Sequence, residues 1–357
     1  MSRFWSPALH SLTPYTPGEQ PRLKCVKLNT NENPYPPAPG IRAVLDHFDA
    51  QQLRLYPDPE STALRQALAK HYQVSPANIF VGNGSDEVLA LAFAAFFRQP
   101  APLLMPSLSY SFYPVYCNLY NIQAEYIPLA DDWSIDVNAF NRANGGIVIA
   151  NPNAPTGHAH SPSAIAALLQ HQQDTVVLVD EAYVDFGAES CLPLINAHDN
   201  LLVVSTLSKS RSLAGLRIGF AIGSPELIEG LERIKNAFNS YPVDRLAARV
   251  AVAALEDRGH FERTRRAIIN TRTWSTAALR QRRFDVLPSQ ANFVLARPTA
   301  RPAADIFAAL RDHGIIVRYF NTPALSDWLR ISIGTDDEMR QLFTALDSIL
   351  SSTRHCD

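Results

Sequence analysis

Three apolar runs constrain this chain most: Ile147-Val148-Ile149-Ala150, Val176-Val177-Leu178-Val179 and Leu201-Leu202-Val203-Val204, each stopping at a polar stretch. None alternates apolar with polar, so none has one wet face. Such runs belong to strands covered on both sides. Further short apolar runs lie near 78–81, 102–105 and 216–222, and helical periodicity appears at about 60–73, 85–98, 161–171, 225–238 and 244–256. Strands alternating with helices give an α/β fold, a mainly parallel sheet sandwiched by helices. Such sheets bind ligands beyond the carboxyl ends of their strands. The residues that follow each run therefore carry the functional information.

The run at 201–204 leads to Ser205-Thr206-Leu207-Ser208-Lys209, with Arg217 eight positions beyond the lysine. Lysine strongly prefers water. One delivered to the end of a buried strand is either a solvated loop residue or an amine with a chemical task. The main such task is a Schiff base with a carbonyl or with pyridoxal phosphate. The run at 176–179 ends in Asp180, with Tyr183 three positions later. An Asp there serves as a helix cap in many proteins; it can also hold the proton on a cofactor's ring nitrogen. Tyr183 can donate to a phenolic oxygen. After the run at 147–150 comes Asn151-Pro152-Asn153-Ala154-Pro155-Thr156-Gly157, a turn stiffened by proline and glycine. Asn153 could hydrogen-bond the same oxygen. Finally, Phe80-Val81-Gly82-Asn83-Gly84-Ser85-Asp86-Glu87 reads strand, glycine turn, helix start, and a helix N-terminus is a ready phosphate site. Glu87 occupies the third glycine position of a dinucleotide fingerprint, and no Gly-Lys-Ser/Thr is present. One phosphate fits best.

In this chain order the four motifs resemble those of the fold-type I, pyridoxal-phosphate-dependent class I/II aminotransferases. The likeness runs nearly end to end. It takes in Leu12–Pro21, Lys27-Leu28-Asn29-Thr30-Asn31-Glu32-Asn33-Pro34-Tyr35, Tyr56-Pro57-Asp58-Pro59, Ser109–Tyr116, Gly314–Phe320 and Leu329–Thr335. The Asn-Glu-Asn-Pro and Val-Arg-Tyr-Phe segments point to the branch acting on histidinol phosphate. The resemblance implies that Lys209 carries the cofactor and shuttles the α-proton. It implies that Asp180 pairs with the ring nitrogen, Tyr183 and Asn153 bond the phenolic oxygen, and Tyr110 stacks on the ring. Gly84, Ser85, Asp86, Thr206, Ser208 and Arg217 fall at cofactor positions, with Ser85, Asp86, Ser208 and Arg217 on the phosphate. Tyr56 would reach that phosphate from the partner subunit of a homodimer. Arg330 would bind the substrate anion, with Arg318 and Tyr15 lining the substrate end. Ala154 stands where many relatives carry a second asparagine. Arg211 is open between a solvated loop residue and a second cation beside the phosphate.

The implied reaction moves an amino group between histidinol phosphate and 2-oxoglutarate, giving imidazole-acetol phosphate and glutamate. Two alternatives share the scaffold: aromatic amino acid transamination and phosphothreonine decarboxylation. A non-catalytic, cofactor-binding regulator is disfavoured, because the resemblance starts almost at residue 1. At 357 residues, two domains are expected: an amino-terminal arm (1–40) that joins a small carboxyl-terminal unit (261–357), and a large cofactor-binding domain (41–260). The arm holds eight of its chain's prolines and reads as irregular. A helical stretch from about 258 to 282 links to runs near 284–287, 292–296, 315–318 and 328–333, with helices near 302–313 and 336–351. A net charge of -2 gives no electrostatic case for nucleic acid or an anionic membrane. The arginines at 263–283 read as the wet face of a helix. Cys25, Cys117, Cys191 and Cys356 show no metal spacing, and His158 and His160 lack a third ligand, so no metal is expected. Met1–Pro7 does not read as a signal peptide, no run is long enough to span a bilayer, and a cytoplasmic protein is expected.

Overall fold

The computed structural model describes residues 2–21 and 25–351. Met1 and Cys356 lie outside the described residues. In chain order, α1 (Pro7–Ser11), β1 (Val26–Leu28), α2 (Ile41–Asp46) and α3 (Thr62–Tyr72) precede the first sheet. Then come β2 (Ile79–Asn83), α4 (Gly84–Phe96), β3 (Leu103–Pro106), α5 (Tyr113–Tyr120), β4 (Ala124–Ile127), β5 (Ile147–Ala150) and α6 (Pro162–His171). β6 (Val177–Asp180), β7 (Leu201–Thr206) and β8 (Ile218–Ile222) complete that sheet. α7 (Pro225–Phe238), α8 (Arg245–Glu256) and α9 (Arg258–Gln281) follow. The chain closes with β9 (Phe284–Val286), β10 (Phe293–Pro298), α10 (Ala303–Asp312), β11 (Ile315–Tyr319), β12 (Leu329–Ser332) and α11 (Asp336–Ser351).

The first sheet has the order β2-β8-β7-β6-β5-β3-β4 and is parallel except for β8, which runs against both neighbours. Its apolar runs are divided between two cores, as the period of two requires. Ile147, Ile149, Val177, Val179, Leu201 and Val203 pack on one side with Leu64, Leu68, Ile165, Leu168, Val250 and Ala251 of α3, α6 and α8. Val148, Leu178, Leu202 and Val204 face the other side with Val88, Leu89, Phe93, Tyr113, Leu227 and Leu231 of α4, α5 and α7. Helix starts are fixed by local chemistry. The Ser161 and Ser224 hydroxyls accept the Ala164 and Leu227 amides, each just ahead of a proline, and Asp244 and Asp257 cap α8 and α9 through Ala247 and His260.

Register decides what sits at the carboxyl edge. Ala150 pairs with Asp180, and Asp180 with Val204, so the turns after β5, β6 and β7 leave side by side. Because β8 is antiparallel, its beginning lies at that same edge: Asn83 pairs with Ile218, and Thr206 with Gly219. Arg217, just before β8, thereby joins the turn after β2.

The second sheet, β1-β11-β12-β10-β9, takes one strand from the arm and four from the carboxyl-terminal part. β1 pairs parallel with β11. The arm is thus not wholly irregular. Its prolines leave Val26-Lys27-Leu28 free to pair, and a three-residue strand whose partner lies some 290 residues away in sequence has no local signature. Also unforeseen are α1, α2, α5 and β4. In α5 the tyrosines and Val115 hide the helical period. Pro114 in its first turn and Asn121 in the left-handed conformation at its end mark it instead.

Candidate active site

A cavity of about 280 Å³ lies where the carboxyl edge of the first sheet meets β1, β11 and β12. Lys209 reaches it from the loop after β7. That loop is closed by Leu207 N–H on Ile218 O (3.0 Å) and Leu213 N–H on Leu207 O (3.1 Å). The lysine Nζ donates to Thr30 O at 3.3 Å and lies 5.7 Å from the centre of the Tyr183 ring. Arg211, two residues on, points the other way. It is buried, donates to Ala254 O (3.1 Å), lies beside His71 Nε2 (3.1 Å) and stacks on Phe261 at 3.7 Å. It is neither a solvated residue nor a phosphate ligand; it ties the lysine loop to α3, α8 and α9.

One end of the cavity is built for an anion. α4 starts at Gly84 with no side-chain cap, so its first-turn amides carry no side-chain partner. Gly84 has φ +81, and a Cβ there would lie 2.4 Å from the Arg217 guanidinium. Opposite, a Cβ on Gly219 would fall 2.2 Å from Gly84 C and Ser85 N. Both glycines are required by close approach of backbone to backbone and of guanidinium to helix end. Ser85, Thr206 and Ser208 line the same end, with Thr206 Oγ1 donating to Ser208 Oγ (2.9 Å) or to Ile218 O (2.9 Å). The Asp86 carboxylate, an acceptor only, cannot grip an anion itself. It accepts from Arg217 (3.1 Å) and from the Tyr110 hydroxyl (2.9 Å), so it aims the arginine, and its backbone N–H is what it offers a phosphate.

The other wall carries Asp180. Its side chain accepts from the Tyr113 hydroxyl (2.8 Å) and from Ala182 N–H (3.1 Å). Burial pushes its carboxyl up to about 6 from an ordinary 3.8, against these hydrogen bonds. Among the described residues no cation pairs with it directly, and Lys209 affects it only weakly. A buried carboxylate left in this state suits an incoming positive charge. Tyr113 was not foreseen, although it sits in the quoted stretch 109–116; its role becomes visible only once α5 packs under β6.

Tyr183 lines the cavity, and its hydroxyl oxygen accepts from Asn31 Nδ2 at 3.1 Å. Asn153 departs from the sequence expectation. It is fully buried and outside the cavity lining. Its Nδ2 is engaged by Leu108 O (3.1 Å) and Thr156 Oγ1 (3.2 Å), and its Oδ1 accepts from Ser109 (2.7 Å). These bonds lock the turn and leave no donor for a ligand. Ala154 is the residue of that turn that lines the cavity, packed with Phe293 and Tyr183. On the cavity wall it shares with Tyr183, this turn therefore presents a methyl group.

The remaining side is cationic. Arg318 and Arg330 are direct cross-strand partners on β11 and β12. Like charges placed opposite each other are unfavourable without an anion between or beside them. The Arg330 guanidinium lies 5.5 Å from the ring centres of both Phe293 and Phe320, and Nη2 donates to Asn29 O (2.8 Å). Its Nε is buried without a partner. Burial lowers its affinity for a proton, though an arginine stays charged. Arg318 donates only weakly, to Thr16 O (3.3 Å) and Pro17 O (3.5 Å). Tyr15 closes the rim, stacked on Phe112 at 4.7 Å.

The structure thus gathers Tyr15, Gly84, Ser85, Asp86, Tyr110, Asp180, Tyr183, Thr206, Ser208, Lys209, Arg217, Arg318 and Arg330 about one cavity. Tyr56 stands apart: it is 79% exposed and stacks on Tyr241 at 4.7 Å. Pyridoxal phosphate fits this set of groups. The uncapped helix end and Arg217 suit its phosphate, Asp180 its ring nitrogen, Tyr183 its phenolic oxygen and Lys209 its aldehyde. The unpartnered Arg330 Nε remains for a substrate anion. Among the described residues no cluster could hold a metal ion.

Comparison with known proteins gives consistent findings. The profile of the family described as aminotransferase class I and II matches residues 24–346. A histidinol-phosphate aminotransferase of Chromohalobacter salexigens is 60% identical over 349 residues, 98% of this chain and 99% of that protein. One of Gluconacetobacter diazotrophicus is 56% identical over the full length of both. The crystal structure of histidinol-phosphate aminotransferase from Sinorhizobium meliloti in complex with pyridoxal-5'-phosphate superposes with a TM-score of 0.88 at 27% identity, covering 99% of each chain.

Proposed function

This chain belongs to the class I and II aminotransferases, and from that premise we propose that it exchanges an amino group between histidinol phosphate and 2-oxoglutarate in histidine biosynthesis. Its fold is that of the fold-type I transferases. The observation that carries the substrate assignment is the arginine pair on β11 and β12, with the Arg330 Nε unpartnered. Histidinol phosphate bears a phosphooxymethyl group where glutamate bears its α-carboxylate. One site must accept either in turn. A guanidinium grips both by its two-pronged donor face, and the extra charge of a phosphate calls for a second cation, Arg318.

Bound in this cavity, pyridoxal phosphate supplies a ring that delocalises the electron pair left when the substrate's Cα loses its proton. The protein's groups do the rest. Lys209 Nζ, on the loop held by Arg211, would take the Cα proton of the first substrate and deliver it to the carbon of the cofactor's former aldehyde, and would carry it the opposite way when the second substrate is converted. Asp180, steadied by Tyr113, holds the proton on the ring nitrogen. Tyr183 donates to the phenolic oxygen. The α4 amides, Ser85, Ser208 and Arg217 anchor the phosphate, and Tyr110 covers the ring. Arg330, Arg318 and Tyr15 orient the substrate so that its Cα–H faces Lys209. The same residues serve both half-reactions, so the amino group leaves histidinol phosphate for 2-oxoglutarate, or glutamate for imidazole-acetol phosphate.

The functional unit in this reading is a cytoplasmic homodimer, with a domain division near residues 40 and 260. Leu53, Leu55, Tyr56, Phe238 and Tyr241 are exposed, and Tyr56 and Tyr241 stack on each other, which suits a surface covered by a second subunit. Tyr56 would then reach the partner's cofactor phosphate. Mixing Tyr56→Phe with Lys209→Ala subunits restores normal cofactor affinity at one site per heterodimer if it does, and restores none if Tyr56 serves its own subunit. Among the described residues no helix is long and apolar enough to cross a membrane. The substrate is tested by comparing kcat/KM for histidinol phosphate, phenylalanine and tyrosine as amino donors. A preference for histidinol phosphate of at least tenfold is expected. Equal or better use of the aromatic amino acids, or carbon dioxide release from phosphothreonine, would replace the reading.

A further inference from the structure

Asn31 sits three residues beyond β1, buried to 1% exposure and in the left-handed conformation, φ 56. An asparagine tolerates that conformation but does not need it. What the side chain does there follows from which atoms can donate. Ser332 Oγ receives the Asn31 backbone N–H at 2.9 Å and lies 2.8 Å from Asn31 Oδ1. A hydroxyl can accept two bonds but has one proton; Ser332 accepts the first, and its proton finds an acceptor only by donating in the second. That fixes which end of the amide is oxygen. The reverse orientation would point an N–H at Ser332 and strand the serine proton at a 3% exposed site. Asn31 Nδ2 therefore faces the Tyr183 hydroxyl, 3.1 Å away. An amide nitrogen only donates, so the tyrosine oxygen must accept, and its own proton is turned away from Asn31. Asn292 Nδ2, on Asn31 O at 2.9 Å, holds the backbone of the same residue.

We propose that Asn31, oriented by Ser332, is a positioning residue that makes Tyr183 an obligate hydrogen-bond donor to the ring oxygen of the bound cofactor. This rests on the cofactor reading above. Ala154, which packs with Tyr183 on the same wall, offers no polar atom, and Asn153 is turned away. Tyr183 is then the side-chain donor at this wall, and its direction carries the effect. A donor stabilises the ring oxygen as an anion and so lowers the pH at which the lysine-bound chromophore loses its proton. Lys209 and Arg330 are the other charged groups facing Tyr183; the lysine nitrogen is the group whose titration is read, and Arg330 stays charged throughout.

The experiment is a spectroscopic pH titration of the holoenzyme's visible absorption band, which reads the cofactor without turnover. Asn31→Asp offers Tyr183 an acceptor, reverses the bond and adds negative charge; the midpoint should rise by about one pH unit or more. Ser332→Ala frees the amide to rotate and should raise it by a smaller amount. In a Tyr183→Phe background, Ser332→Ala should produce no further shift, because its effect passes through the missing hydroxyl. A purely structural role would move thermal stability and leave the midpoints alone. If Asn31→Asp fails to fold, the Ser332→Ala cycle decides. Unchanged midpoints with a normal visible band in the parent protein overturn the inference. Absence of any visible band when pyridoxal phosphate is added to the parent protein overturns the cofactor reading itself.

Discussion

Replacing Asp180 by asparagine should have opposite effects with and without cofactor. Without it, the carboxylate is buried and faces no paired cation, and burial lifts it from 3.8 to about 6. A raised carboxyl means that the folded protein prefers the neutral form. The native state then binds more protons than the unfolded chain between the two values, and stability falls as pH rises through that window. Above pH 6 the full cost applies: about two pH units at 1.36 kcal/mol each, or about 3 kcal/mol. Asparagine keeps the shape, can accept from Ala182 N–H and can meet Tyr113, but carries no charge. Cofactor-free Asp180→Asn should therefore be more stable than its parent by about 3 kcal/mol at pH 7.5 and by about half that at pH 5. For a chain of 357 residues, about 2.1 cal/mol/K per residue of unfolding entropy turns 3 kcal/mol into about 4 °C. Thermal melts of the cofactor-free proteins at the two pH values measure this. With cofactor bound the sign reverses: the parent gains a cationic partner and the variant does not, so the variant should bind cofactor less tightly and lose most turnover. A cofactor-free variant no more stable than its parent at pH 7.5 would refute the idea that the fold keeps a costly carboxylate in wait for a cation.

Other outcomes follow from single contacts. Lys209→Ala should abolish turnover, and borohydride treatment of the parent should attach cofactor to the peptide containing Lys209; label on Lys235 instead would move the site. Gly219→Ala places a methyl 2.2 Å from the backbone at Gly84 and Ser85 and should weaken cofactor binding at least tenfold by equilibrium titration, since backbone has nowhere to go. Near-normal affinity would mean the anion cradle is elsewhere. Arg330→Lys should raise KM for histidinol phosphate and 2-oxoglutarate together, by roughly 10- to 100-fold, as the two-pronged grip is lost; a rise for only one would assign the other's anion to Arg318.

The sequence exposed those parts of the fold that obey a local period. The buried strands β5, β6 and β7 are legible as unbroken apolar runs, and the helices α3, α4 and α6–α9 because their apolar positions repeat at 3.6. Lys209, Asp180 and Arg217 were legible because each stands where a strand ends. Hidden were features that exist only through long-range packing. β1 is three residues pairing with β11, and α5 carries Tyr113 to Asp180 across 67 residues of sequence. Asn153 misled for a related reason: the motif names two adjacent positions, and only the turn's geometry shows that Ala154 faces the cavity. Asn31 was visible as a motif member but not as a hydrogen-bond relay, because its partners Tyr183 and Ser332 lie 152 and 301 residues away.

The most direct test of the central claim is to follow the amino nitrogen. Histidinol phosphate labelled with heavy nitrogen at its amino group is incubated with 2-oxoglutarate, pyridoxal phosphate and the enzyme, and the glutamate formed is analysed by mass spectrometry. The account predicts labelled glutamate in equal amount to imidazole-acetol phosphate, with neither produced by Lys209→Ala. Glutamate that stays unlabelled, or label that appears only when an aromatic amino acid replaces histidinol phosphate as donor, would contradict it.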